Sequence, residues 1–221
     1  MLYVYAIADA APEPLGTGLH GAPLRAVSDG ATFAVASEHE QAPQSGVEEL
    51  WCHEEVVERL MEQVAVLPMR FGATAASESE LEAVLRARRE EFTALLDQVR
   101  GAVELSVRVA PAPPAEEVRL AAGGDPAPPS GTEYMRQRGR ALSAREDVEA
   151  RYHQPLSALS RSSRVPAGRL GPGGFKAAYL VEADRVEAFT ELVAELGREG
   201  EANVSCTGPW PPYSFVSEER R

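Results

Sequence analysis

The chain has 221 residues, of which 44% are hydrophobic, and its formal net charge at pH 7 is −12. The hydrophobic content supports a buried core and excludes global disorder, whereas the acidic balance argues against nucleic acids and anionic membranes as main partners, because both require a basic face. No apolar run could span a bilayer, the N-terminus has no basic leader, and Cys52 and Cys206 lie far apart, so we expect a cytoplasmic protein with reduced thiols.

The first 99 residues have the pattern of a small α+β domain. The continuous apolar run Leu2–Ala8 predicts a strand buried on both faces, and residues 32–36 predict a second strand. Apolar residues at helical spacing predict helices over residues 53–64 and 77–99, the second with a capping box formed by Ser77 and Glu80. We therefore predict an N-terminal α+β domain over residues 1–99.

The pattern from Gly101 onward predicts a second domain. Alternating residues predict strands at 103–109, 175–181 and 202–206, with a short strand near residues 164–165. Helical patterns cover residues 132–160 and follow Asp184, and residues 110–130 hold six prolines and form a Pro/Gly-rich insertion. This order of elements predicts a modified ferredoxin-like domain over residues 100–207 with an extended helical insertion.

The C-terminal tail, residues 208–221, begins with an unusual concentration of proline and aromatic residues. Because proline fixes φ and removes a backbone donor, we predict an extended, polyproline-like arm that is neither helix nor central strand. Burial of its rings would be strongly stabilising, so we expect the arm to pack between the two domains, with docking on a partner as the alternative. The residues predicted to pack are Gly208, Pro209, Trp210, Pro211, Pro212, Tyr213 and Phe215.

Motifs that would indicate catalysis or cofactor binding are incomplete. Residues 16–21 match G-x-G-x-x-G, but Pro23 and no helical pattern follow, so the predicted strand and helix do not flank a dinucleotide site. His53 precedes two glutamates without the second histidine of a zinc-protease helix, since position 57 is valine. We therefore predict no catalytic, cofactor or metal site, leaving open a site that folding assembles from distant histidines.

Four segments carry a resemblance to a known family. They are residues 3–7 (YVYAI), 67–72 (LPMRFG), 177–181 (AAYLV) and 207–215 (TGPWPPYSF). In this order they resemble the GvpL/GvpF family of gas vesicle proteins over nearly the whole chain, with Met69 and Ala73 departing from the family pattern. The motif residues of the central segment are Leu67, Pro68, Arg70, Phe71 and Gly72.

The resemblance implies a non-enzymatic accessory or minor structural protein of gas vesicle assembly. Its implied partners are the small hydrophobic shell protein and other gas vesicle accessory proteins, and its implied location is the gas vesicle in the cytoplasm. It also implies two α+β domains, the second a modified ferredoxin-like fold. The alternative is a ligand-binding sensor or an enzyme built on the ferredoxin-like half, since a fold alone does not fix function.

Overall fold

The computed structural model describes residues 1–110, 135, 147–166, 174–199 and 202–216. These residues form a mixed α/β structure with two antiparallel sheets. They divide into two compact units: Met1–Glu104 with the described residues from Pro209 onward, and the described part of Leu105–Gly208. The predicted insertion, apart from Ala110, and residues 132–134 and 136–146 of the helical pattern predicted over residues 132–160 lie outside the described residues. The domain boundaries proposed from the sequence stay a prediction.

The first unit is built on a five-stranded sheet. Its strands are β1 (Leu2–Ala8), β2 (Leu24–Ser28), β3 (Phe33–Glu38), β4 (Val66–Pro68) and β5 (Thr74–Ala75). The order is β2-β3-β1-β4, and β5 also pairs with β1. Every residue of β1 is buried, which confirms the predicted strand with both faces buried. A register shift between Val4 and Ala6 marks a bulge opposite β3.

Strand β2 is absent from the sequence-based prediction, although the chain carries a signal for it. Asp29 and Gly30 form the turn of the β2–β3 hairpin, and Gly30 has a φ of 93°. Asp29 Oδ1 accepts hydrogen bonds from the backbone N–H groups of Ala31 and Thr32. An Asp-Gly pair between two short apolar runs is a strong hairpin signal, so β2 could have been predicted from it.

Three helices complete the first unit: α1 (Val47–Met61), α2 (Glu78–Ala87) and α3 (Arg89–Val99). Helix α1 begins at Val47, six residues before the predicted start. Its N-cap, Gly46, has an extended backbone and makes no side-chain cap hydrogen bond, so no capping residue marks this start in the sequence. The predicted 77–99 helix is two helices, since Arg88 leaves helical geometry at φ −112° and ψ 20°. The predicted Ser77 cap is confirmed, with its side chain accepting from the Glu80 N–H at 3.2 Å.

The second unit contains a four-stranded sheet in the order β7-β8-β6-β9. Its strands are β6 (Ala102–Ala110), β7 (Ser162–Arg164), β8 (Phe175–Glu182) and β9 (Asn203–Trp210). Alternation predicted β6, β8 and β9 because one face of each strand supplies apolar side chains to a core. The core includes residues from three strands and the following helices: Leu105, Val107, Val109, Tyr152, Leu156, Phe175, Ala177, Tyr179, Val181, Phe189, Val193 and Leu196.

Two helical segments of this unit are described. A single π-helical turn, Glu149–His153, leads directly into α4 (Gln154–Ala158), which has Pro155 in its first turn. A 3₁₀ turn, Ala183–Arg185, precedes α5 (Val186–Glu199). Phe189, Val193 and Leu196 of α5 are buried, as its predicted apolar stripe requires. In the described part of the chain, every helix is too short or too polar to cross a membrane.

The C-terminal segment differs from the predicted polyproline arm. Gly208, Pro209 and Trp210 complete β9, which lies at the edge of its sheet, where proline is tolerated. Tyr213–Val216 then form a short helix, α6, so the prediction that this stretch cannot be helical was wrong. Proline ends the strand at Pro211 and Pro212 but does not prevent a helical turn after them. The aromatic rings of the C-terminal segment are also not all buried, because Trp210 is 43% exposed.

Candidate functional site

Three of the four segments that carry the resemblance meet in the first unit. Strand β4 pairs with β1, with Pro68 opposite Ala6 and Leu67 opposite Ile7. Helix α6 contacts both β4 and α3. We call residues 3–7, residues 67–72 and α6 the motif cluster. The fourth segment, residues 177–181, lies within β8 of the second unit.

The loop after β4 is held by hydrogen bonds to its backbone. Met69 N–H donates to the Tyr5 carbonyl at 2.8 Å. His53 Nε2 lies 2.9 Å from the Met69 carbonyl oxygen, and the Tyr3 hydroxyl lies 2.9 Å from His53 Nδ1. Gly72 N–H donates to the same hydroxyl at 3.3 Å. The loop is therefore held by groups of β1 and α1, together with the hydrogen bond from Ala73 N–H to the Arg70 carbonyl within it.

This geometry determines the hydrogen positions on His53. A carbonyl oxygen only accepts, so His53 Nε2–H must donate to Met69, which leaves Nδ1 as the acceptor from the Tyr3 hydroxyl. His53 is 1% exposed, and burial lowers its pKa from the usual 6.5. Burial likewise raises the pKa of Tyr3 to about 12. Both groups are neutral near pH 7 and have all their partners, so His53 is a structural residue of the loop.

A second polar chain lies beside the first. The Tyr5 hydroxyl accepts from Leu19 N–H at 2.8 Å and lies 2.9 Å from Ser37 Oγ, which in turn lies 2.8 Å from His39 Nε2. A Cβ added at Gly18 would lie 2.2 Å from the Tyr5 hydroxyl oxygen. The glycine at position 18 therefore admits the tyrosine, and Leu19–Gly21 form only a single 3₁₀ turn. This segment lacks the helix N-terminus that a dinucleotide site requires.

Helix α6 is anchored by a buried carboxylate. Ser214 N–H donates to Glu104 Oε2 at 2.8 Å, and Ser214 Oγ–H donates to Glu104 Oε1 at 2.7 Å. Glu104 is 6% exposed, and Phe215 is fully buried. Burial and the nearby Glu54 carboxylate raise the pKa of the Tyr213 hydroxyl. Sequence alternation placed Glu104 on a solvent face, so only the tertiary structure shows this anchor.

The predicted motif residues occupy different environments. Leu67 and Pro68 are buried in β4, Phe71 is half-buried, and Gly72 has a φ of 89°. Of the predicted packing residues, Pro211, Pro212 and Phe215 are buried and Tyr213 is half-buried, whereas the following three are exposed: Gly208, Pro209 and Trp210.

Arg70 is the exposed cation of the fixed loop. Its side chain projects from between Met69, whose backbone is bonded on both sides, and the half-buried Phe71. No ion pair joins its guanidinium to a described residue. A loop held by these hydrogen bonds that carries an exposed guanidinium is suited to contact an acidic or carbonyl-rich surface.

Two of the remaining histidines are neighbours, because the ring centroids of His20 and His39 are 5.9 Å apart. His20 Nε2 lies 3.6 Å from Glu49 Oε1, and His153 Nδ1 lies 2.9 Å from the Tyr179 hydroxyl. Burial lowers the pKa of His39. Among the residues that the structure describes, no three His, Cys, Asp or Glu side chains are grouped so that they could hold a metal ion.

Comparison with known proteins decides the family. The family model described as gas vesicle synthesis protein GvpL/GvpF matches residues 1–217. The chain belongs to the GvpL/GvpF family. The resemblance inferred from the four segments is thereby confirmed, and membership implies a role in gas vesicle assembly.

Individual GvpL/GvpF relatives are similar along most of the chain. Gas vesicle protein L of a Streptomyces species is 30% identical, with 98% of this chain and 94% of the relative covered. Gas vesicle protein F2 of Halobacterium salinarum is 32% identical over 74% of this chain and 66% of its own length. The crystal structure of the gas vesicle protein GvpF from an Anabaena species matches with a TM-score of 0.79 at 20% identity, covering 99% of this chain and 97% of that one. This last likeness concerns the fold.

Proposed function

We propose that the protein is a non-enzymatic accessory or minor structural component of gas vesicle assembly that binds the small hydrophobic shell protein. The observation that carries the proposal is the match of the GvpL/GvpF model to residues 1–217. The motif cluster supports it, because its buried polar groups satisfy one another and leave Arg70 as an outward-facing cation on a fixed loop.

A physical role for such a protein follows from the nature of a gas-filled shell. A shell that excludes water needs subunits with an apolar face, and free subunits with such a face tend to aggregate. A soluble partner with a net charge of −12 repels its own copies and stays dispersed. Binding to the shell subunit would cover the apolar face until the subunit joins the growing wall. The protein then acts at the gas vesicle, in the cytoplasm.

Two finer structural features belong to the same proposal. The strand order β7-β8-β6-β9 supports a modified ferredoxin-like fold for the second unit, because it matches the 2-3-1-4 order of a βαββαβ chain. The Glu104–Ser214 anchor supports a structural role for the tail.

The proposal is tested by capture of purified shell subunit on the immobilised full-length protein. Wild-type protein should retain the subunit, and Arg70→Glu should retain at least several-fold less, because it reverses the exposed charge of the fixed loop. Arg86→Glu is the matched control, since Arg86 is also exposed and the net charge changes equally. Failure of wild-type protein to retain the subunit, while another accessory protein retains it, would contradict the proposal.

A further inference from the structure

The N-terminal half of α1 exposes apolar side chains that the fold does not use. Val47 is 71% exposed, Leu50 is 45% exposed and Trp51 is 70% exposed. Val47 and Trp51 are four residues apart and Leu50 lies beside them, so the three side chains share one side of the helix. Burial of a tryptophan is strongly stabilising, so an exposed one on a regular helix indicates a surface that is covered in a complex.

Carboxylates continue the same side of the helix toward its C-terminus. Glu55 lies four residues beyond Trp51 and is exposed, and Glu58 follows one turn later and is also exposed. Neither forms an ion pair with a described residue. We call Val47, Leu50, Trp51, Glu55 and Glu58 the α1 face.

The basic groups of α1 are occupied elsewhere. Arg59 donates to the carbonyl oxygens of Leu15 and Thr17, and His53 is buried and hydrogen-bonded to Tyr3 and Met69 of the motif cluster. Glu54 and Glu58 are four residues apart, a spacing at which like charges destabilise a helix. No ion pair with a described residue neutralises Glu55 or Glu58 beside the apolar patch, and a cationic partner would relieve the repulsion.

We propose that the α1 face binds a basic amphipathic helix of a partner protein. The face runs over about three helical turns, or roughly 16 Å, which is a suitable length for one helix to pack along another. Apolar residues of the partner would cover Trp51 and Val47, and its Lys or Arg side chains would pair with Glu55 and Glu58. A second copy of this chain fits less well, because it would bring like carboxylates together.

The inference rests on the proposed assembly role, because it names the chemistry of a partner in that role. Its test, however, uses a synthetic helix instead of the shell protein. Failure of the helix to bind would overturn this inference and leave the shell-protein proposal standing. Failure of shell-subunit capture would overturn that proposal and leave the α1 face as a site for a different basic partner.

The test is titration of the full-length protein with a synthetic amphipathic helix of leucine and lysine, and with a matched helix of leucine and glutamate. In the variant Trp210→Phe, Trp51 is the only tryptophan, because the chain has two. The leucine–lysine helix should shift the Trp51 emission to shorter wavelength and saturate. The leucine–glutamate helix should leave the emission unchanged.

Charge variants separate a specific face from general attraction to an acidic protein. Glu55→Lys with Glu58→Lys should weaken calorimetrically measured binding about tenfold or more, and Trp51→Ser about thirtyfold. Glu191→Lys with Glu195→Lys, both exposed on α5, changes the net charge equally and should leave binding nearly unchanged. Equal weakening by the two charge pairs, or no Trp51 shift, would overturn the inference. So would a concentration-dependent dimer in sedimentation that Trp51→Ser abolishes.

Discussion

At the residue scale, the motif cluster depends on side chains that fill their hydrogen-bonding capacity. Tyr3 serves both His53 and Gly72, and Tyr5 serves both Ser37 and Leu19. A buried polar group that loses its partner costs more than the bond itself contributed. Small changes at these residues are therefore expected to loosen the loop that presents Arg70.

Gly18 offers the simplest steric test of this packing. Its φ is −121°, which any residue can adopt, so the effect of Gly18→Ala depends on space alone. The added Cβ would lie 2.2 Å from the Tyr5 hydroxyl oxygen, and we expect the free energy of unfolding to fall by about 1–3 kcal/mol. Chemical denaturation measures the change. An unchanged denaturation midpoint would contradict the packing.

His53 predicts a dependence of stability on pH. Its folded pKa is lowered by burial, so on acidification the unfolded chain takes up a proton near pH 6.5 while the folded chain does not. The stabilisation is therefore present above pH 6.5 and is lost as the pH falls below it. In His53→Gln the fall in unfolding free energy between about pH 7 and pH 5 should be smaller. Identical pH profiles for the two proteins would contradict a buried, neutral His53.

At the element scale, the sequence predicted the elements whose apolar pattern reports one buried side. Strands β6 and β8 and helix α5 fall in this class, whereas β1 was predicted from a continuous apolar run buried on both faces and the Ser77 cap from the spacing of Ser77 and Glu80. The start of α1 was predicted too late, because Val47 and Trp51 in its first turns are exposed and do not continue the buried apolar stripe. The break at Arg88 has no glycine or proline to announce it, so the pattern alone could not divide α2 from α3.

The candidate site was predictable only in part. The three segments of the motif cluster were named from the sequence, but their meeting was not, since β1, β4 and α6 are far apart along the chain. His53 and Glu104 were missed in their structural roles because helical spacing and strand alternation say nothing about a tertiary hydrogen bond. Asp29–Gly30 did carry a readable hairpin signal, so β2 was the avoidable error.

The attachment of α6 gives a prediction at this scale. Glu104→Ala removes the acceptor of both Ser214 hydrogen bonds, and we expect a loss of about 1.5–3 kcal/mol per charged bond in unfolding free energy. The tail should also become more sensitive to limited proteolysis. Ser214→Ala is the graded control, because it removes only the hydroxyl bond. Equal protease resistance of wild type and Glu104→Ala would contradict the anchor.

At the scale of the whole molecule, family membership and surface charge both lead us to expect a protein that works by binding partners at its surface. The GvpL/GvpF model spans residues 1–217, and the acidic chain carries two outward features on the first unit, Arg70 and the α1 face. Both features are surfaces rather than pockets. If the protein works by binding partners at these surfaces, reversing a surface charge should remove its function and leave its fold intact.

Complementation of a host in which the gene has been disrupted tests this account most directly. Gas vesicles would be counted by electron microscopy in cells that carry no copy, the wild-type chain, Arg70→Glu or the matched control Arg86→Glu. The account predicts vesicles with wild type and Arg86→Glu, few or none with Arg70→Glu at equal protein level, and none without the gene. Normal vesicles in the disrupted strain would contradict the central claim.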